Sequence, residues 1–200
     1  MAKIKYTKNE LKAQKDNLKR FNRYLPTLVL KKHQLQMEIL RVQTLQNEKL
    51  KARKEIEGWV GSWVGVFGEG IEIENYIRLK SVIIDTGNVA GIDIPVFKGI
   101  EFEDISYDLF QNPLWVDRAV EELLKIYTII VELKILQEQI NLLREEQRIT
   151  TQRVNLFEKV KIPEAKENIR IIQIYLGDQQ TAAVVRGKIS KNKIRREPVP

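Results

Sequence analysis

The sequence predicts a mainly α-helical protein: a long antiparallel two-helix coiled coil with a small β-hairpin insertion between the helices. Three observations carry that prediction. Apolar residues repeat every seven along the first arm, a three-four apolar spacing runs through a longer second arm, and eight of the ten glycines fall between Gly58 and Gly99. Both arms are thus nearly free of chain breakers, and the change of period is confined to the middle. The expected segments are a coiled-coil helix over 1–58, a glycine-rich connector with the hairpin over 59–112, and a long helix with a basic tail over 113–200, all in one elongated domain.

The first arm is read from its heptads. With Leu11 at position a, that position holds Leu11, Leu18, Leu25, Lys32, Ile39 and Gln46, while d holds Gln14, Phe21, Leu28, Leu35, Val42 and Lys49. Eight of these twelve are apolar, a seam sustained over six heptads. Thr7 or Asn9 supplies an N-cap, with Glu10 completing a capping box to Thr7. Gly58 is the expected end, which makes the helix roughly 75 Å long, more than a compact domain of this size needs.

The second arm opens at Asn112-Pro113, since proline is tolerated at the first helical position. Its apolar row runs through Val116, Ala119, Leu123, Ile126, Ile130, Leu133, Gln137, Ile140, Arg144, Gln147 and Val154. Between Ala119 and Leu136 the additional Val120, Leu124, Tyr127, Ile129, Val131, Ile135 and Leu136 widen the stripe beyond what one partner helix covers. Pro163 interrupts the continuing pattern Val154, Phe157, Val160, Ile162, Ile169, Ile171 and Ile172, so a bend is expected at or just before it. If residues 58 and 113 are level, Lys8 lies opposite Pro163; pairing then ends there and the helix continues alone for about 30 residues, some 45 Å.

Between the arms the chain is rich in isoleucine and valine, alternating at Ile92, Ile94 and Val96. With a turn signal at Asp85-Thr86-Gly87-Asn88, this predicts a hairpin over about 76–97, with Pro95 on an edge or at a strand end. Trp59, Trp63 and Phe67, four apart, fit a short helical turn with an aromatic face.

Composition narrows the function. The chain has no cysteine, hence neither disulfides nor thiolate metal sites, which fits a reducing compartment. No apolar run approaches a membrane span, because Glu121, Glu122, Lys125, Glu132 and Lys134 interrupt the most hydrophobic stretch. The opening MAKIKYTKNELK lacks the apolar centre of a signal peptide, so a cytosolic location is expected. The net charge of +7 is unevenly divided: +9 over 1–58, −6 over 59–112 and +4 over 113–200.

Motifs that suggest bond chemistry are weak. Asp85-Thr86-Gly87 resembles an aspartic-protease signature, but that chemistry needs two such carboxylates in an all-β setting, and a hairpin turn explains the residues. Gly65-x-x-Gly68-x-Gly70 reverses the dinucleotide fingerprint and lacks a following Gly-Lys-Ser/Thr. His33, the only histidine, is expected to be solvated beside Lys31 and Lys32. No catalytic, metal or cofactor site is expected. Arg186, Lys188, Lys191, Lys193, Arg195 and Arg196 crowd one short stretch that would suit phosphates, yet the stretch has no aromatic side chain for base stacking.

More specific residues point to a family. Arg153-Val154-Asn155, Glu158, Ile162-Pro163, Ile169-Arg170 and Leu176, continuing into Arg186, Lys188, Lys191 and Lys193, resemble the carboxy-terminal signature of the D subunit of V-type and A-type rotary ATPases. Thr7-Lys8, Glu10-Leu11, Leu18-Lys19, Lys31-Lys32 and Leu35 are similar to its opening pattern, and Asn88 through Pro95 to its Gly-hydrophobic-x-hydrophobic-Pro segment. The resemblance spans nearly the whole chain. It implies the central-stalk rotor shaft of an ATPase or ATP synthase, without bond chemistry of its own, carrying torque between the catalytic hexamer and the ion-translocating membrane rotor. The implied partners are the catalytic A and B subunits, the F subunit, and the central-stalk subunit that couples to the membrane ring, with neither nucleic acid nor direct membrane insertion. Arg186, Lys188, Lys191 and Lys193 are expected as the bearing against the hexamer, and Ile126, Ile130 and Leu133 as a contact for the F subunit or for the β insertion. The competing reading is a stand-alone coiled-coil scaffold or tether, which explains the heptads but not the joint placement of the signature residues.

Overall fold

The computed structural model describes residues 5–61, 65, 76–103 and 115–196, the last by its backbone only. Helix α1 spans Lys8–Gly61, strands β1 and β2 span Leu79–Val89 and Ile92–Phe102, and α2 spans Trp115–Leu156. A π-helical turn at Phe157–Lys161 then leads into α3, Ile162–Arg196. Two long helical arms with an antiparallel two-stranded hairpin between them are thus the observed architecture. Trp63, Phe67, Gly68, Gly70 and Asn112-Pro113, to which parts of the sequence reading refer, lie outside the described residues.

Local chemistry explains where α1 starts and how it is buried. The Thr7 Oγ1 accepts the backbone N–H of Glu10 at 3.2 Å, satisfying one of the free donors of the first turn. Only half of the expected capping box forms, because Glu10 instead accepts a hydrogen bond from Gln14 Nε2 at 2.9 Å. The helix runs through Pro26 and past the expected stop at Gly58. All twelve seam positions from Leu11 to Lys49 are buried or half-buried, as the heptad reading requires.

The chain divides into two compact units, Lys31–Ile149 and Met1–Leu30 with Thr150–Pro200. Within the first, hereafter the hairpin unit, α1 and α2 are antiparallel. Lys31 meets Glu146 at 2.8 Å, Gln46 meets Gln137 at 2.9 Å and Lys49 meets Glu132 at 2.8 Å. Leu35, Ile39 and Val42 of α1 and Leu136, Ile140 and Leu143 of α2 form its core together with Ile94 from β2. The α2 row thus passes through Leu136 and Leu143; Gln137 and Arg144, expected in it, are exposed. Either choice preserves a three-four rhythm, and the leucines win because burying them removes more apolar surface from water.

The hairpin turns at Ala90-Gly91 rather than at Asp85-Thr86-Gly87-Asn88, which lies in β1. Ala90 and Gly91 have φ of 51° and 82°, the doubly left-handed pair that a two-residue hairpin turn demands. Asn88 secures it, its Oδ1 accepting from the Gly91 N–H and its Nδ2 donating to Asp93. Gly87 is required inside the strand, because a Cβ there would stand 2.9 Å from the Val96 side chain across the sheet. Pro95 sits opposite Thr86 in a two-stranded sheet, where each strand has a free edge, so its missing N–H interrupts no further ladder.

The second unit, hereafter the terminal unit, is an antiparallel pair as well. Phe21 stacks on Phe157 with ring centroids 5.3 Å apart, and Tyr6 packs on Tyr175 at 5.0 Å. Pairing therefore continues well past Pro163 instead of ending there. The irregularity expected just before the proline is present, but as a widened turn inside a paired helix. What stands uncovered is shorter than the expected 30 residues: positions 177–195 are all exposed.

Candidate partner-binding surfaces

Three parts of the molecule are candidates for partner contact. The first is the uncovered end of α3. Arg186, Lys188, Lys191 and Lys193 are exposed there and make no ion pair among the described residues. Helical spacing does not gather them into one stripe. Lys188 and Lys191 share a face with Arg195, at spacings of three and four, whereas Arg186 and Lys193, seven apart, share another. Arg195 was not among the expected bearing residues, although its four-residue offset from Lys191 is legible in the sequence. Val185 and Ile189, also four apart, add an exposed apolar strip, with Ile189 52% accessible.

The second is the broad apolar band of α2. Leu133 is buried, while Ile126 and Ile130 are half-buried. The hairpin leans on the neighbouring face. Tyr127 and Val131 line a small cleft with Ile77, Leu79, Ile100 and Phe102, and Ile135 with Gln139 bounds a larger open cleft of about 700 Å³ under Val96 and Phe97. Gln139 Nε2 donates to the Pro95 carbonyl, tying β2 to α2. Tyr127, Val131, Ile135 and Gln139, each four from the next, form a second row; the first three are part of the widened stripe read from the sequence, whereas Gln139 is not. Near the start of α2, the Arg118 guanidinium lies 5.4 Å over the Trp59 ring.

The third holds the signature residues. Val154 and Ile162 are buried, whereas Arg153, Asn155, Glu158 and Pro163 are exposed around the π-helical turn. Downstream, the Arg170 guanidinium holds the Glu167 carboxyl below the usual carboxylate range, as Arg148 does for Glu145. Asp85 is also held low, first by the Thr86 N–H and then by Lys98 across the hairpin. The described residues contain no group of three or more His, Asp or Glu side chains placed to hold a metal. No described helix is long and apolar enough to cross a membrane.

These surfaces and their frame define a class: paired antiparallel helices with a β-hairpin between them and one exposed, basic helix end. Comparison with known sequences narrows it further. The family described as the ATP synthase D subunit matches residues 10–192, and the chain belongs to that family. It is 54% identical to the V-type ATP synthase D subunit of Borreliella burgdorferi, covering 97% of this chain and 96% of that one. It is 31% identical to the V-type ATP synthase D subunit of Chlamydia muridarum, with 97% of each chain covered, and 32% identical to that of Chlamydia caviae over 97% and 95%. A central-stalk component of a rotary ATPase is what this membership makes the chain.

Proposed function

We propose that the chain is the shaft of the rotor, passing torque between a catalytic hexamer of A and B subunits and the ion-translocating membrane rotor, and catalysing no bond chemistry itself. The observation that carries this reading is the contrast along α3, whose apolar row is covered up to Ile172 and whose last turns are wholly exposed and basic. A shaft needs a stiff length, which paired helices supply, and an end that tolerates many successive surfaces. Arg186, Lys188, Lys191 and Lys193 suit such an end, because long cationic side chains make screened, interchangeable contacts instead of one fixed fit. The F subunit, and the stalk subunit that couples to the membrane ring, would be held at the hairpin unit, where the half-buried Ile126 and Ile130 and the hairpin offer apolar surface, Leu133 being buried. The location would be cytoplasmic, peripheral to the membrane.

Glutamine at all four basic positions, mixed with the A and B hexamer, tests the bearing. Weakened assembly is expected, with a larger loss at low salt than at high. Assembly equal to the parent at every ionic strength would refute it. Alanine at Ile126 and Ile130 should lower capture of the F subunit; full capture would assign that face to the fold alone.

A further inference from the structure

The buried row on the second arm is regular until the π-helical turn and regular after it, but not across it. Thr150, Val154 and Phe157 follow one another at four and three residues, and Ile162, Ala165, Ile169 and Ile172 follow at three, four and three. From Phe157 to Ile162 the step is five, one more than the rhythm allows. The backbone shows how the extra residue is housed: the Ile162 N–H donates to the carbonyl of Phe157, five residues back, in place of the usual four.

Without that widened turn, an unbroken α-helix would bring Lys161, Glu164, Asn168, Ile171 and Tyr175 into the row that faces α1. Lys161 and Glu164 now form an ion pair with each other at 3.3 Å and are about half exposed. Turned inward, both would lose water at the position where Ile162 and Ala165 are now 9% and 3% accessible. Apolar burial therefore selects the structure that contains the π turn.

Pro163 accounts for where the turn sits. In a regular α-helix its ring would collide with the carbonyl four residues before it, and that carbonyl would lose its donor. Immediately after a widened turn both penalties fall, since the carbonyls there are already displaced from their α positions. Sliding the extra residue along the helix in either direction would return Pro163 to ordinary α geometry.

We propose that Phe157–Lys161 is a register key, which takes up one surplus residue so that the rows before and after it face the same uninterrupted seam of α1, and that Pro163 pins the surplus residue in place. The key also sets the direction of the uncovered end of α3. One residue of an α-helix is about 100° of rotation, so dissolving the turn would swing Arg186, Lys188, Lys191 and Lys193 by that angle relative to the buried row.

The test uses the full chain and its lack of cysteine. Cysteines introduced by Tyr6→Cys and Tyr175→Cys are bridged with a short bis-maleimide, and the yield of bridged chain reports whether the row beyond the turn keeps its register. Deleting Lys159 together with Pro163→Ala removes the surplus residue and its pin, and should give an unbroken helix with a bridging yield within twofold of the parent. Inserting one alanine after Lys159 adds a second surplus residue and should cut the yield at least fivefold. Loss of bridging in the deletion, including loss through unfolding seen as lower helicity, would overturn the register key, and so would full bridging in the insertion. Pro163→Ala alone should raise amide exchange across Ala165–Ile172 severalfold, as the surplus residue becomes free to wander; unchanged exchange would overturn the pinning.

Discussion

The hairpin unit and the terminal unit are built from the same two-helix seam, yet they are held by different means. In the hairpin unit, Leu35, Ile39 and Val42 of α1 are buried, because β2 adds Ile94 above them and a third element excludes water. In the terminal unit no α1 side chain from Lys8 to Leu30 is fully buried; the dry positions are Thr150, Val154, Ile162, Ala165 and Ile172 on the other arm. Polar fastening differs too. Lys31–Glu146 and Lys49–Glu132 link the two arms in the hairpin unit, whereas the terminal unit is bridged by the Phe21–Phe157 and Tyr6–Tyr175 ring pairs, and Lys161–Glu164 and Arg170–Glu167 stay within the second arm. A coiled coil of two strands leaves half of each helix wet, and a covering element changes that balance more than a better heptad does.

The contrast is most exposed to failure at equivalent heptad positions. Leu35 and Leu28 both occupy position d, one buried completely and the other half-buried. Leu35→Ala should cost about 2–5 kcal/mol and Leu28→Ala about 1 kcal/mol in urea unfolding of the full chain. Equal losses would mean that the hairpin contributes no real cover.

A smaller effect of opposite sign is expected in the terminal unit. The Thr150 hydroxyl is buried without a hydrogen-bond partner, so Thr150→Val, which keeps the shape and removes the stranded polar atom, should stabilise by about 1 kcal/mol. A lowered melting temperature would show that the hydroxyl is satisfied in solution. Smallest is the cross-arm ion pair: Lys31→Gln should cost under about 1 kcal/mol, fading as salt is raised, since both partners keep a quarter or more of their side-chain surface in water. A loss that salt leaves untouched would assign the lysine a packing role in place of an electrostatic one.

Much of this was readable from the residues. The α1 heptads are legible because eight of the twelve seam positions from Leu11 to Lys49 are apolar, and every seam position is buried or half-buried as expected. The second arm was harder, because it carries two apolar rows, one for α1 and one for the hairpin, and because a step of four after Leu133 keeps the three-four rhythm yet lands on Gln137 and Arg144 where a step of three finds Leu136 and Leu143. The hairpin turn was misplaced because Asp-Thr-Gly-Asn is a stronger turn signal than Ala-Gly; only the approach of the Val96 side chain to Gly87 shows that the glycine serves close packing. Pro163 announced an irregularity but not its kind, since a proline does not say whether a helix bends, ends or widens. Of the surfaces, the basic end was legible as charge, while its division between two faces emerges only with helical geometry.

The uncovered stretch from Gly177 to Arg195 also has an enzymatic consequence. It carries Arg186, Lys188, Lys191, Lys193 and Arg195 with neither tertiary cover nor acidic partners among the described residues, and each is a trypsin cleavage site. Brief digestion should shorten the free chain from this end first and leave the paired seam whole. The same digestion after assembly would then read, bond by bond, how far other subunits enclose the tip.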